Sequence, residues 1–476
     1  MTDLLDQGQF SKGRSTDPVV QADRAVTQEA QPTSAIPIKF IAAALILLVA
    51  SSVLPAWRVQ LFGDRLEWYY AVRATGVVAF VIFFSLFCRG FHASLKVAAA
   101  ASARTGYGDS LLSLRAMACL IVLIGHGTTV VFPPDDVAFV ASHSRFFWLS
   151  MPMPWAGVWV FFTLSGYLMG KGFFTGRYSF DRGGILRFYR NRIFRIVPLF
   201  YFAILLVAIF VRPEELNGSN ITNILSLLLF DTDGTRPPHF IGLLWSIATE
   251  MQFYVTAPFF AGLIFLVARR TGALPIVVAA VLLGLVYRTT SAHASNDDGA
   301  TWVRSIYSPL LGNLDIFVTG MVAAWFVRAR PLSWPRLSHG ILLAAVVYVA
   351  AAICWSRLLG SVEATNLIYE LRYYSPTIFA LATAALIVIL ENAARQPAGV
   401  PSRLLVAGTQ ELGILTYAIY LWHEPIFLAY AKSIAHPVSP RNTLSALVVA
   451  GIAVFAFSWV TWKAIEKPFD DLRNTA

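Results

Sequence analysis

The chain has 476 residues, of which 57% are hydrophobic and only 13% charged. An ordinary soluble domain carries about 25% charged residues, so a water-soluble fold of this length is excluded. The formal net charge is +10; because the basic residues sit mostly in short segments between apolar runs, they report membrane topology and attraction to anionic lipid, and no nucleic-acid partner is expected.

Residues 1–36 are polar, contain Pro, Ser and Gln, and show no periodicity; they read as a disordered cytoplasmic tail without a signal peptide. Runs of about 17–25 apolar residues then predict twelve spans. They fall near 38–56, 68–88, 112–132, 154–172, 195–211, 243–267, 274–289, 307–327, 340–357, 374–391, 411–431 and 443–463. The run 221–230 is half a span and reads as an interfacial or re-entrant piece. An Ala/Ser/Gly-rich linker near 91–110 separates two leading spans (37–90) from a ten-helix unit over 111–470. The expected fold is therefore all-α, a polytopic transmembrane bundle of ten core helices plus two N-terminal spans.

With the N-terminal tail inside, the cytoplasmic loops hold about fifteen Lys/Arg and the opposite loops about nine. This bias places both termini in the cytoplasm of a multi-pass inner-membrane protein. Cys88, Cys119 and Cys354 lie in or beside apolar runs without metal-binding spacing and read as small core hydrophobes. No metal and no permanently bound cofactor are expected.

Polar groups within a span cost on the order of 3 kcal/mol for a mid-depth charge, so they mark candidate sites. Arg115 and His126 are eleven residues apart in one span. That is three helical turns plus about 20°, on one face, with a rise of about 16 Å. An anion site at the cytoplasmic mouth and a neutral imidazole deeper in suit a thioester donor and a general base. A snorkelling arginine and a histidine bonded to a neighbouring helix fit the same spacing. Arg192 and Arg195 are i,i+3 where a helix enters from the cytoplasm; guanidinium forks suit pyrophosphate. A positive-inside anchor explains Arg192 better than Arg195, which is one turn into the apolar run. Ser246, Glu250 and Tyr254 share a helical stripe that begins beside Trp245. There Glu250 approaches His126 to hold its tautomer, binds a sugar hydroxyl, or finds another partner. Ser165-Gly166 is compatible with tight helix packing alone. His423 lies among Tyr417, Tyr420 and Trp422, which suits either saccharide stacking or an aromatic belt.

Together these segments resemble the membrane acyltransferase-3 family. The Arg115–His126 spacing matches the family's first core helix. Phe161-Phe162-Thr163-Leu164-Ser165-Gly166 matches its FFxLSG-like motif, and Arg192/Arg195 its RxxR. Trp245, Ser246, Glu250, Phe253 and Tyr254 match a WSLxxExxFY-like motif. Tyr417, Tyr420, Leu421, Trp422 and His423 match YxxYLWH, and Glu466-Lys467-Pro468-Phe469 the closing E-[KR]-P-F. Six motifs in the family's order cover about 110–470.

The resemblance implies transfer of an acyl group, commonly acetyl, from cytoplasmic acyl-CoA as co-substrate to a hydroxyl of an envelope saccharide: a polysaccharide, lipopolysaccharide or exopolysaccharide. It implies His126 as catalytic base with Arg115 as donor-side partner. Arg192 and Arg195 then hold the CoA phosphates, and Glu250 assists proton transfer or orients the acceptor. Trp245, Ser246, Tyr254 and His423 are candidate acceptor contacts. The two N-terminal spans depart from the family core, and no hydrolase-like domain follows it, so no relay to a second transfer site is expected. A glycan transporter or flippase fits the span count but not the absence of internal repeats. A scaffold or sensor with a decayed site would tolerate loss of His126 and Glu250.

Overall fold

The computed structural model describes residues 110–131, 154–210, 212, 215–216, 218–232, 241–294, 303–329, 365–392, 400–433 and 440–475. The expected tail, the spans near 38–56, 68–88 and 340–357, and the linker up to Asp109 lie outside the described residues.

The described chain is helical, with no strand. Its helices are α1 (Ser110–Val131), α2 (Pro154–Phe174), α3 (Arg182–Phe210), α4 (Ile221–Leu228), α5 (Leu244–Thr271) and α6 (Leu274–Ala294). They continue with α7 (Leu310–Ala329), α8 (Thr365–Asn392), α9 (Val400–Ser433), α10 (Pro440–Thr461) and α11 (Lys467–Thr475). Five-residue π-turns precede α7 (Val303–Tyr307) and join α10 to α11 (Trp462–Glu466). Among the described residues, eight segments are long and apolar enough to cross a membrane. Their outward faces carry Leu205, Val255, Phe259 and Leu266, at 59–69% exposure, as a lipid-facing surface requires. The protein is a multi-pass membrane protein.

Nine of the twelve predicted spans fall on α1–α3 and α5–α10. Three of these helices start well before their apolar runs: α3 at Arg182, α8 at Thr365 and α9 at Val400. Hydropathy marks only the part in lipid, whereas the i→i−4 ladder continues through polar turns. At α3 the start has a local cause. Asp181 Oδ1 accepts the Gly184 amide at 2.7 Å, an N-cap bond that pulls this exposed carboxyl below its usual range. The 3₁₀ turn Gly218–Asn220 leads into α4, which is eight residues long and too short to cross.

The span 154–172 is helical as α2 but is not among the eight apolar crossers. Its glycines, Ser165 and Thr163 lower its hydropathy, because α2 is the centre of the bundle rather than its lipid face. It packs against α1, α5, α7 and α8, and its most extensive partner is α7. Every residue of α7 from Gly312 to Ala324 is buried. Glycines make this contact possible. A Cβ on Gly170 would lie 3.0 Å from the Met321 backbone, and one on Gly320 would lie 2.1 Å from the Thr163 carbonyl oxygen. This is the small-xxx-small geometry of membrane helix pairs.

A second close pair, α1 with α9, frames the polar centre. Ser113 Oγ and Thr409 Oγ1 meet at 2.9 Å, and thirteen residues further along α1, His126 meets His423. Both contacts progress in the same chain direction, so α1 and α9 run parallel for about 20 Å. Gly413 permits the approach: a Cβ there would lie 2.3 Å from the Leu112 carbonyl oxygen. Cys119 is a free thiol buried with Leu123, Leu415 and Trp459 on this side.

Away from this centre, Arg288 (α6) and Asp315 (α7) form a fully buried bidentate ion pair at 3.0 and 3.1 Å. Thr377 (α8) accepts from Arg288 at 2.6 Å and donates to Asp315 at 2.5 Å, and the Gly312 carbonyl takes a further guanidinium bond at 2.7 Å. The cluster locks three helices in register.

Candidate active site

Five helices, α1, α2, α3, α5 and α9, converge on one cavity. Arg115, Arg192 and Arg195 reach it from α1 and α3, and Glu250 from α5. Glu250 Oε1 accepts hydrogen bonds from Ser165 Oγ of α2 and Tyr254 OH, one turn along α5. The carboxylate is thus aimed by two neutral hydroxyls and faces the guanidiniums across the cavity.

The three arginines are not equivalent. Arg195 Nη1 is paired with Glu466 at 3.1 Å and Asp470 at 3.2 Å, so the C-terminal π-turn and α11 anchor it. Arg192 lies over the rings of Phe188 and Tyr254, 5.8 and 5.7 Å from their centroids, and its buried Nε has no hydrogen-bond partner among the described residues. Among the described residues the buried Nε of Arg115 also has none. Two guanidiniums with donor capacity, beside Glu250 as the single carboxylate among the described lining residues, make the cavity suited to an anion.

Tyr417 and Tyr420 close the α9 side. Tyr417 OH donates to the Ile196 carbonyl at 2.8 Å, tying α9 to α3. Tyr420 OH meets Ser246 Oγ at 2.5 Å, and Ser246 is 3.1 Å from the Leu243 carbonyl. Trp245 does not line the cavity; its ring packs 4.4 Å from that of Tyr307, centroid to centroid, within the core.

His126 and His423 form a separate polar centre further along the α1–α9 pair. His126 Nδ1 and His423 Nε2 are 3.0 Å apart, and the rings are 5.2 Å apart and inclined by 18°. His423 is 1% exposed. Its Nδ1 lies 2.8 Å from the Tyr420 carbonyl and 3.2 Å from that of Ile419. Tyr420 therefore bridges the two centres, with its hydroxyl on the cavity and its carbonyl on His423.

Of the residues singled out in the sequence, Arg115, Arg192, Arg195, Ser246, Glu250 and Tyr254 meet around the cavity. His126 and His423 meet each other, and Trp245 stands apart. Glu250 takes Ser165 and Tyr254 as partners, and it is His423 that contacts His126. Five contributors are not singled out as site residues by the sequence: Ser165, Tyr417, Tyr420, Glu466 and Asp470. The first four lie within motifs, Ser165 at a place equally suited to helix packing, and Asp470 follows the last motif.

The model for an acyltransferase domain named Acyl_transf_3 matches residues 109–463. The peptidoglycan O-acetyltransferase OatA of Listeria monocytogenes is 27% identical over 70% of this chain and 53% of its own length. The putative peptidoglycan O-acetyltransferase YrhL of Bacillus subtilis is 25% identical over 70% and 52%. The putative membrane-bound transacylase BcsY of Komagataeibacter xylinus is 26% identical over 56% and 65%. The chain thus spans about half the length of the first two curated relatives. No solved structure matches.

Proposed function

The chain belongs to the Acyl_transf_3 family of acyltransferases, and from that premise we propose that it is an O-acetyltransferase of the cell envelope. It takes acetyl from cytoplasmic acetyl-CoA and delivers it to a saccharide hydroxyl of an envelope glycan, peptidoglycan among them. Its place is the inner membrane, with both termini cytoplasmic. The observation that carries this reading is the convergence of Arg115, Arg192, Arg195 and Glu250 from three helices on one cavity.

In the proposed reaction the guanidiniums of Arg192 and Arg115 hold the CoA phosphates, with Arg195 steadied by Glu466 and Asp470. His126 lies three turns beyond Arg115 on the same helix, about 16 Å away along the axis. Separation of an anion site from a base suits a donor whose phosphates and thioester are joined by a long flexible arm. His126 Nε2 takes the proton of the acceptor hydroxyl as its oxygen bonds to the thioester carbonyl carbon. The carbon–sulfur bond breaks, and the proton passes to the departing thiolate. Glu250, held by Ser165 and Tyr254, orients a hydroxyl or moves a proton at the cavity.

The test is transfer of radiolabel from acetyl-CoA into envelope glycan by membranes containing wild-type or His126→Ala protein. Label with wild type alone is expected. Equal label with both removes His126 from the reaction. No label with wild-type protein that is folded and inserted, from acetyl-CoA or longer acyl-CoAs, overturns acyl-CoA dependence and puts a glycan transporter first.

A further inference from the structure

We infer that His423 is a positioning residue that fixes the tautomer of His126, rather than a contact to the acceptor. The inference rests on the assignment of His126 as the base and goes beyond it by naming what makes one of its nitrogens basic.

A carbonyl oxygen can only accept. The Tyr420 and Ile419 carbonyls at 2.8 and 3.2 Å from His423 Nδ1 therefore require the proton on that nitrogen. In the neutral ring His423 Nε2 is then an acceptor. It faces His126 Nδ1 at 3.0 Å, which must supply the proton of that bond. His126 is thereby set as the Nδ1–H tautomer, and its Nε2 carries the lone pair. The direction originates in helix backbone, which does not titrate. Both carbonyls lie one turn back on α9, so the ring is held by its own helix.

Burial excludes the acceptor-contact reading. His423 is 1% exposed, and both of its ring nitrogens are committed. It has no polar atom left for a saccharide. The arrangement has the logic of a base oriented by a third group, with imidazole and carbonyl in the place often held by a carboxylate.

The test uses the 476-residue chain in membranes. His423→Phe keeps a ring and removes the acceptor; His423→Gln places an amide oxygen where Nε2 stood. His423→Phe is expected to lower kcat at least about a hundredfold, by analogy with tautomer loss in a triad. KM for the glycan should stay within about twofold, because uniform binding is untouched. His423→Gln should recover most of kcat. ¹⁵N spectra of protein with site-specifically labelled histidine should show Nδ1–H tautomers at both positions in the wild type. In the His423→Phe protein the His126 signal should shift towards the other tautomer. Wild-type kcat in His423→Phe, a rise confined to glycan KM, or failure of His423→Gln to recover activity would each overturn the inference. The wild-type spectrum is decisive even where a variant does not fold: an Nε2–H signal at either histidine also overturns it. Retained transfer in His126→Ala instead overturns the assignment of the base, and is told apart by that control.

Discussion

A Cβ on Gly166 would sit 2.0 Å from the carbonyl oxygen of Phe317, so α2 and α7 touch backbone to backbone at this point. The adjacent Ser165 bonds Glu250, so the same close contact fixes the depth at which the carboxylate is held. Gly166→Ala must push α7 away and is expected to destabilise the protein by roughly 1–3 kcal/mol, the usual range for overpacking. Gly451→Ala, in α10 with no described residue within 4 Å of the added atom, should be neutral or stabilising by up to about 1 kcal/mol. Thermal unfolding in detergent compares the two, and equal melting temperatures would contradict the packing account.

Glu250 is expected to act through its charge and to depend on its two donors. Glu250→Gln should cut kcat by roughly a hundredfold or more, in the range for a general acid–base group. Ser165→Ala and Tyr254→Phe each remove one bond to the carboxylate, worth about 1.5–3 kcal/mol, or about ten- to a hundredfold in rate. Steady-state acetyl transfer measures both. Full activity in Glu250→Gln would reduce this residue to a packing role.

Arg192 and Arg195 should separate in their effects. Arg192→Ala is expected to raise KM for acetyl-CoA more than KM for the glycan, since its guanidinium has a donor to spare. Arg195→Ala leaves Glu466, 1% exposed, without its guanidinium partner. It should therefore also lower stability, by about 3 kcal/mol as for a broken buried pair. Paired KM and melting measurements resolve this; a KM effect on the glycan alone would move both residues out of the donor site.

The Arg288–Asp315 pair offers a control away from the chemistry. Arg288→Met should destabilise by about 3–5 kcal/mol, because Asp315 stays buried and charged. Adding Asp315→Leu should restore much of that loss. Residual folded protein of either variant should keep its KM for acetyl-CoA. A double variant no more stable than the single would show that Thr377 and the Gly312 carbonyl matter more than the charge pair.

Much of the cavity was legible because membrane-buried polarity is costly and therefore informative. Arg115, Arg195 and Glu250 stood out against apolar runs, and their helical faces followed from spacing alone. Ser165 did not stand out, since a small hydroxyl beside a glycine serves helix packing equally well. Glu466 was hidden by its place after the last apolar run, where a carboxylate looks solvated; the π-turn Trp462–Glu466 carries it into the core. The extra polar turns of α3, α8 and α9 were missed because hydropathy ends where lipid ends and hydrogen bonding does not.

The sequence by itself determined that this is an all-helical, multi-pass membrane protein of the acyltransferase-3 type. Long apolar runs admit no other solution in lipid, and six ordered motifs carry the family. Only the tertiary structure decided the partners. Periodicity places side chains on a face of their own helix but is silent on which helix that face meets. Residues 113 and 409, or 126 and 423, are almost 300 positions apart, and nothing local in either segment encodes their parallel contact. That contact depends on where glycines let backbones touch. It is why Glu250 meets Ser165 and Tyr254 while His126 meets His423.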